Sequence, residues 1–151
     1  MKNILALDPA SITGWAMRKD GVVTSGVLRL SKEGFGLTGY QFSNWLSDKI
    51  LGIDELWVEK PFTRIKSVHS ARCDGIVFVS HLIAYTHDIK HREVHASSWR
   101  KKVLGNGRMA SAVAKKAAMA WAAKEGFKPE TDDEAEALCI MTYAIMENDN
   151  D

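Results

Sequence analysis

The sequence predicts an α/β fold whose sheet opens with three consecutive strands, and three observations carry that reading. Residues 3–8 and 53–59 are short apolar runs ending at a turn, the mark of strands buried on both faces. Asp20-Gly21 joins two β-rich segments, residues 13–18 and 22–30, and Asp-Gly in that setting signals a hairpin. Longer segments with apolar residues near helical spacing alternate with the remaining strands, giving the order βββ, α, β, α, β and then helices.

Taken in order, the first strand ends at Asp8 and turns through Pro9-Ala10-Ser11-Ile12 into the hairpin. A glycine-rich loop (Gly34, Gly36, Gly39) precedes a helix over 41–51, whose stripe is Phe42, Trp45, Leu46 and Ile50. The fourth strand stops before Pro61. A long helix spans 66–86 and a fifth strand 90–95. Ser97 or Ser98 can cap a brief helix through Val103, ended by Gly105. Residues 109–125 form an alanine-rich helix closed by Gly126, and the last helix runs from Thr131 to about Glu147, before a frayed acidic tail. No linker or repeat divides the 151 residues, so one domain is expected.

An apolar share of 46% and a charged share of 26% place the chain among soluble globular proteins. No apolar run approaches the roughly 20 residues of a membrane span. Met1-Lys2-Asn3 leads straight into a strand, unlike a signal peptide. Cys73 and Cys139 lie far apart in apolar helical segments and read as buried free thiols, which implies a reducing cytoplasm. The net charge of +1 hides a strong asymmetry. Residues 1–59 hold 6 basic and 7 acidic side chains, residues 60–128 hold 14 and 4, and residues 129–151 hold 0 and 8. A basic middle with acidic clusters elsewhere fits a phosphate-binding surface around a metal-binding pocket.

The acids define the candidate site. Asp8 and Glu59 each close an apolar strand, where side chains hang over the edge of an open α/β sheet. Thr131-Asp132-Asp133-Glu134-Ala135-Glu136 opens the last helix. A capping box accounts for Thr131 and Glu134, and dipole compensation for the other first-turn acids. It does not account for Glu136, which stands where the apolar face begins. Asp133 and Glu136, three apart, share a helix face; Asp132 and Glu136, four apart, also can, so Asp132 is the substitute for the favoured Asp133. Four carboxylates brought together repel unless cations lie between them. An all-oxygen donor set selects Mg²⁺, or Mn²⁺, over Zn²⁺. Two such ions would activate water and stabilise the leaving oxygen in phosphodiester hydrolysis. No Ser-His-Asp or Cys-His arrangement and no Walker-type glycine loop can be read, so neither a nucleophilic side chain nor a nucleotide cofactor is expected.

These residues resemble the RuvC-type Holliday junction resolvases of the RNase H-like superfamily. The segment from Ile4 to Ala16, with Asp8-Pro9-Ala10-Ser11 and then Thr13-Gly14-Trp15, is similar to their opening strand and turn. Val58-Glu59-Lys60-Pro61-Phe62 resembles their second acidic motif, and Asp133-Glu134-Ala135-Glu136-Ala137-Leu138 their closing one. Trp99-Arg100-Lys101-Lys102 with Gly105-Asn106-Gly107 looks like the phage-type branch. Ala10 stands where that pattern has glycine, and Glu136 where it ends in aspartate; the extra methylene bears on the second metal position. The resemblance implies an RNase H-like mixed five-stranded sheet, antiparallel in its first three strands and flanked by helices. It implies catalysis and metal binding by Asp8, Glu59, Asp133 and Glu136, with two Mg²⁺ ions per site. It further implies a homodimer that nicks a four-way DNA junction symmetrically, leaving 5′-phosphate and 3′-hydroxyl ends, in a bacterial or phage-infected cell. Phe62 matches the aromatic at the junction centre, and the helix carrying Gly75 would supply the dimer face.

Lys60, Arg64, Lys66 and Arg72 follow the second acid, and Arg100, Lys101, Lys102 and Arg108 surround the Gly-Asn-Gly turn. Such cations beside a carboxylate cluster can hold DNA phosphates. Lys60, Arg64, Arg100, Lys101, Lys102 and Arg108, with Phe62, are the expected DNA contacts, and Arg100 is placed nearest the scissile phosphate by the family pattern. Lys115 and Lys116 read as a solvated helix face, and His95 is the one histidine assigned a possible site role. Three readings share these residues: a junction-selective endonuclease, a nuclease for flaps, forks or RNA–DNA hybrids, and a branched-DNA binding protein with a weakened metal site. Actin-like ATPases, which share an opening aspartate strand and hairpin, need two such domains and are excluded by length.

Overall fold

The computed structural model describes residues 1–61 and 66–150. Its elements are β1 (Ile4–Asp8), β2 (Ile12–Lys19), β3 (Val22–Arg29), α1 (Phe35–Lys49), β4 (Glu55–Glu59), α2 (Val68–Thr86) and β5 (Lys90–Val94). A one-turn helix α3 (Ala96–Trp99) follows and runs directly into a π-helical turn (Arg100–Leu104), then come α4 (Ser111–Lys124) and α5 (Asp132–Asp149). The strands form one mixed sheet in the order β3-β2-β1-β4-β5. β1 pairs antiparallel with β2 and β2 with β3, while β4 runs parallel to both β1 and β5. This is the expected RNase H-like sheet.

The two faces of the sheet belong to different cores, and strand periodicity assigns each side chain to one of them. Leu5, Leu7, Leu56 and Val58 pack on the side of α1 and α2, with Phe42, Leu46 and Ile76. Ile4, Ala6, Ala16 and Trp57 pack on the opposite side, against α4 and α5, with Leu138, Met141 and Ala118. Asp8 shares parity with Ile4 and Ala6, and Glu59 with Trp57. Both acids therefore leave the sheet on the face that α5 covers.

The hairpin turn has the backbone its sequence demands. Asp20 and Gly21 have φ of 52° and 80°, as a two-residue turn of the type favoured by strand twist requires. Helix α1 differs from expectation, beginning at Phe35 rather than Gln41. Gly36 and Gly39 lie inside it despite their low helix propensity. Buried Thr38 compensates: its hydroxyl donates to the carbonyls of Ser31 (2.7 Å) and Gly34 (2.9 Å). Neither Ser97 nor Ser98 caps α3; His95 occupies the cap position without a side-chain bond. The cap of α2 is Ser67, in a reciprocal arrangement with Ser70. Cys73 and Cys139 are buried and free. Among the described residues, no helix is long and apolar enough to cross a membrane.

At the sheet edge opposite the candidate site, buried Glu55 ties both chain ends together. It accepts from Lys2 Nζ (2.7 Å), Trp57 Nε1 (2.8 Å) and Asn148 Nδ2 (3.0 Å). Burial alone would raise its carboxyl, but these donors outweigh burial and lower it to about 2. A depressed carboxyl contributes stability above its unfolded value and loses it as pH falls. Acid unfolding between pH 4.5 and 2 should therefore be steeper in the wild type than in Glu55→Gln. The gap at pH 7 should reach about 3 kcal/mol in urea melts.

Candidate functional site

Register brings the first two acids together. Leu7 lies opposite Val58 in the parallel β1–β4 pair, so the next residues, Asp8 and Glu59, leave the sheet side by side. Asp8 is also paired with Gly14 of β2. A Cβ on Gly14 would lie 1.9 Å from the carbonyl oxygen of Asp133. Only a glycine there lets the first turn of α5 descend onto the sheet edge. That approach brings in the third and fourth acids: one carboxylate oxygen each from Asp8, Asp133 and Glu136 lies within 4.8 Å of the others. Asp133, not Asp132, is the member of this cluster.

The start of α5 is fixed by its own hydrogen bonds. Thr131 caps the helix by accepting from Glu134 N (3.2 Å). Glu134 does not complete a capping box with Thr131. Its carboxylate accepts from Glu130 N (2.8 Å) and from Ser25 Oγ of β3 (2.7 Å), tying α5 to the hairpin. Glu136 is 4% exposed, and its Oε1 has no hydrogen-bond partner among the described residues. Arg100 comes only to 3.6 Å from it, an ion pair beyond hydrogen-bonding distance, and a buried carboxylate oxygen in that condition is costly unless a cation meets it more closely. The all-oxygen set therefore fits a hard divalent ion of the Mg²⁺ or Mn²⁺ kind.

Crowding shows in the proton affinities. Burial, and then Glu59, Glu136 and Asp133, push the Asp8 carboxyl well above its usual range, against the pull of Lys115. Glu59 is pushed up to about 7, chiefly by burial, with Glu136 adding to it and the hydrogen bond from Trp99 opposing it. Both shifts mean that the folded chain holds these carboxylates at a cost that positive charge would relieve.

Two cations already contribute. Lys115 Nζ lies 3.2 Å from Asp133 Oδ1, 3.3 Å from Glu136 Oε2 and 3.5 Å from Asp132 Oδ1. Burial would lower its amino group, but Glu136 and Asp133 outweigh burial and raise it. Lys115 is thus no solvated lysine, contrary to the sequence reading, while Lys116 is exposed as expected. The signal was the buried stripe Ala114, Ala118 and Ala122, which sets Lys115 at its margin and Lys116 away from it. Arg100 Nη2 lies 3.6 Å from Glu136 Oε1.

The remaining basic residues divide. Lys60, Lys101 and Arg108 are exposed, and Lys101 and Arg108 line a polar groove with Ser97, Ser98 and Asn106. Lys102 pairs with Glu147 and is not free. Arg72 is buried, donates to the Lys32 carbonyl (3.1 Å) and belongs to the packing of α2. His95 is exposed and lines a second groove with Arg100. Phe62 and Arg64 lie outside the described residues. Ala10 is not among the positive-φ residues, so the missing glycine costs no backbone strain there.

No protein-family model and no curated protein matches this sequence. Solved structures do. Thermus thermophilus RuvC superposes with a TM-score of 0.70 over 96% of each chain at 15% identity. The fold is that of RuvC. T. thermophilus RuvC in complex with Holliday junction substrate gives 0.73, at 13% identity over 93% of this chain and 90% of that one. The yeast mitochondrial Holliday junction resolvase Ydc2 gives 0.58, at 13% identity, covering 93% and 76%. At such identities the likeness to RuvC is one of fold, and function has to be argued from the site.

Proposed function

We propose that this chain is a structure-selective DNA endonuclease that resolves four-way junctions and related branched DNA by metal-dependent hydrolysis. The observation that carries this reading is the convergence of Asp8, Asp133 and Glu136 within 4.8 Å, with Glu59 beside them, at the strand ends of a RuvC-like fold. Asp8, Glu59, Asp133 and Glu136 are the residues that would hold divalent ions, two per site. Ions held there would supply Lewis-acid activation of water and charge neutralisation at phosphorus. Hydrolysis forms a bond from water to phosphorus and breaks the bond to the 3′ oxygen, leaving 5′-phosphate and 3′-hydroxyl ends. Arg100, Lys101, Lys60 and Arg108 would hold the flanking phosphates. Phe62, Arg64 and Lys102 complete the proposed contact set; Lys102 would have to exchange Glu147 for phosphate.

The test is cleavage of labelled four-way, flap, fork, hybrid and linear substrates side by side, with Mg²⁺, Mn²⁺ or EDTA. Symmetric nicking of the four-way junction, dependent on metal, is the expected outcome. Cutting of linear duplex at the same rate would remove the branch selectivity, and preference for flaps or hybrids would favour those substrates instead.

Dimerisation also has support in the exposed surface. Val68, Ala71, Gly75, Phe78, Leu82 and Tyr85 are all exposed on α2 at alternating spacings of three and four. Phe78 is 72% exposed and Tyr85 85%. An apolar stripe with that repeat is what a helix presents to a second helix. It runs beside a groove lined by Phe35, Gly39 and Gly75, where small residues admit close approach. A two-fold pair through α2 would set two sites for two symmetric nicks. Phe78→Glu should turn a dimer into a monomer by light scattering at micromolar concentration, and a dimeric Phe78→Glu would dismiss this face.

A further inference from the structure

We propose that Trp99 is a positioning residue for the metal-binding carboxylate of Glu59, an inference that rests on the metal-dependent reading above. Trp99 is wholly buried, so its indole N–H must find a partner inside the protein. It donates to Glu59 Oε2 at 2.6 Å, shorter than the usual N–H···O distance of about 2.9 Å. Glu59 is the last residue of β4; its backbone is still paired with Val94 of β5, but its side chain has three rotatable bonds. A rigid indole with a single donor removes that freedom and presents the carboxylate in one orientation.

The segment that carries Trp99 is built to hold still. Gly105, at φ 85°, ends the π-helical turn. Gly107 folds back so closely that a Cβ on it would lie 2.6 Å from the Ser97 carbonyl. Asn106 Oδ1 accepts from Arg108 N at 2.9 Å and closes the loop. The Gly-Asn-Gly turn thus clamps the one-turn helix from which Trp99 projects. The next residue, Arg100, reaches Glu136. Consecutive side chains of one segment therefore grip two different acids of the site, and π-helical turns recur where such irregular placement is needed. An ordinary core tryptophan needs only a carbonyl for its N–H. Trp57 donates to the structural carboxylate of Glu55, whereas Trp99 donates to a carboxylate of the site itself.

Outer partners of metal ligands typically set affinity by about 10–100-fold. Calorimetric titration of the full chain with Mn²⁺ should show Trp99→Phe binding more weakly by about that factor. In a Glu59→Gln background the same change should alter Mn²⁺ affinity by less than about twofold, because the group it acts through is gone. Equal losses in both backgrounds would make Trp99 a packing residue, and unchanged affinity in a folded Trp99→Phe would also overturn the proposal. If the wild type bound no Mn²⁺, the metal-dependent reading itself would fall, and this inference with it. Should Trp99→Phe not fold, the wild type still decides the matter by nitrogen-15 NMR of its five indoles. The indole resonance that moves in Glu59→Gln should move on adding Mg²⁺; if it stays fixed while Mg²⁺ binds, Trp99 does not sense the site.

Discussion

Asp8→Asn is expected to abolish junction cleavage while raising the melting temperature of the metal-free protein. The two halves of that result have one cause. Asp8 lies at the end of the central strand β1, flanked by β2 and β4, and burial with three neighbouring acids lifts its carboxyl far above the usual range. A neutral amide of the same shape removes repulsion from Glu59, Glu136 and Asp133, so the metal-free fold gains. The same amide is a poor ligand for a hard cation, so the site would no longer hold the proposed divalent ion and would lose roughly a thousandfold or more in rate, about 4 kcal/mol of barrier. The proposed junction binding would rest on the basic surface and should persist, as a gel-shift assay would read. Stability and activity moving in opposite directions is the signature of a site built from strained charges. Wild-type cleavage by Asp8→Asn would remove the enzyme proposal. A lower melting temperature in EDTA would show that the carboxylates do not repel as their geometry requires.

Much of this arrangement was legible because it depends on local pattern. Apolar runs ending in acids located β1 and β4, and Asp20-Gly21 located the hairpin. Parity then follows without a structure: Asp8 is even with Ile4 and Ala6, and Glu59 is odd with Glu55 and Trp57, so each acid has one available face. The spacing of Asp133 and Glu136 on one side of α5 was equally local. What could not be read were relations between distant segments. Lys115 stands eighteen residues before Asp133 on a different helix, and nothing in Lys115-Lys116 says which lysine turns inward until the alanine stripe of α4 is known to be buried. Trp99 meets Glu59 across forty residues. Arg72 follows the second acid among cations able to hold phosphate, yet the turn of α2 directs it into the interior. Helix α1 began early, where Thr38 bonds back to Ser31, a side-chain bond that helix propensity does not contain.

Gly14→Ala, a single added methyl group, should damage the site as thoroughly as removing an acid, by displacing α5. The added Cβ would fall 1.9 Å from Asp133 O, 2.3 Å from Asp133 C and 2.9 Å from Glu134 N, all backbone atoms of the first turn of α5. No rotamer change relieves a clash between a Cβ and a main chain, so strand or helix must retreat. Retreat of α5 is resisted by its burial, since Glu134 through Met141 are nearly inaccessible, and by the Ser25–Glu134 bond. Retreat of β2 is resisted by its ladders on both sides. The cost should reach about 3 kcal/mol, the upper end for over-packing, readable as a shift in urea midpoint. A change of 1 Å in the distance between Asp8 and Asp133 is enough to spoil a shared ion, so Mg²⁺ should no longer raise the melting temperature of whatever fraction folds. Gly26→Ala is the matched control. Its Cβ would meet the Trp15 side chain at 2.9 Å, a contact that can relax by side-chain motion, so destabilisation without loss of the Mg²⁺ response is expected there. If Gly14→Ala kept the wild-type response to Mg²⁺, close approach of β2 and α5 would not be what assembles the carboxylates.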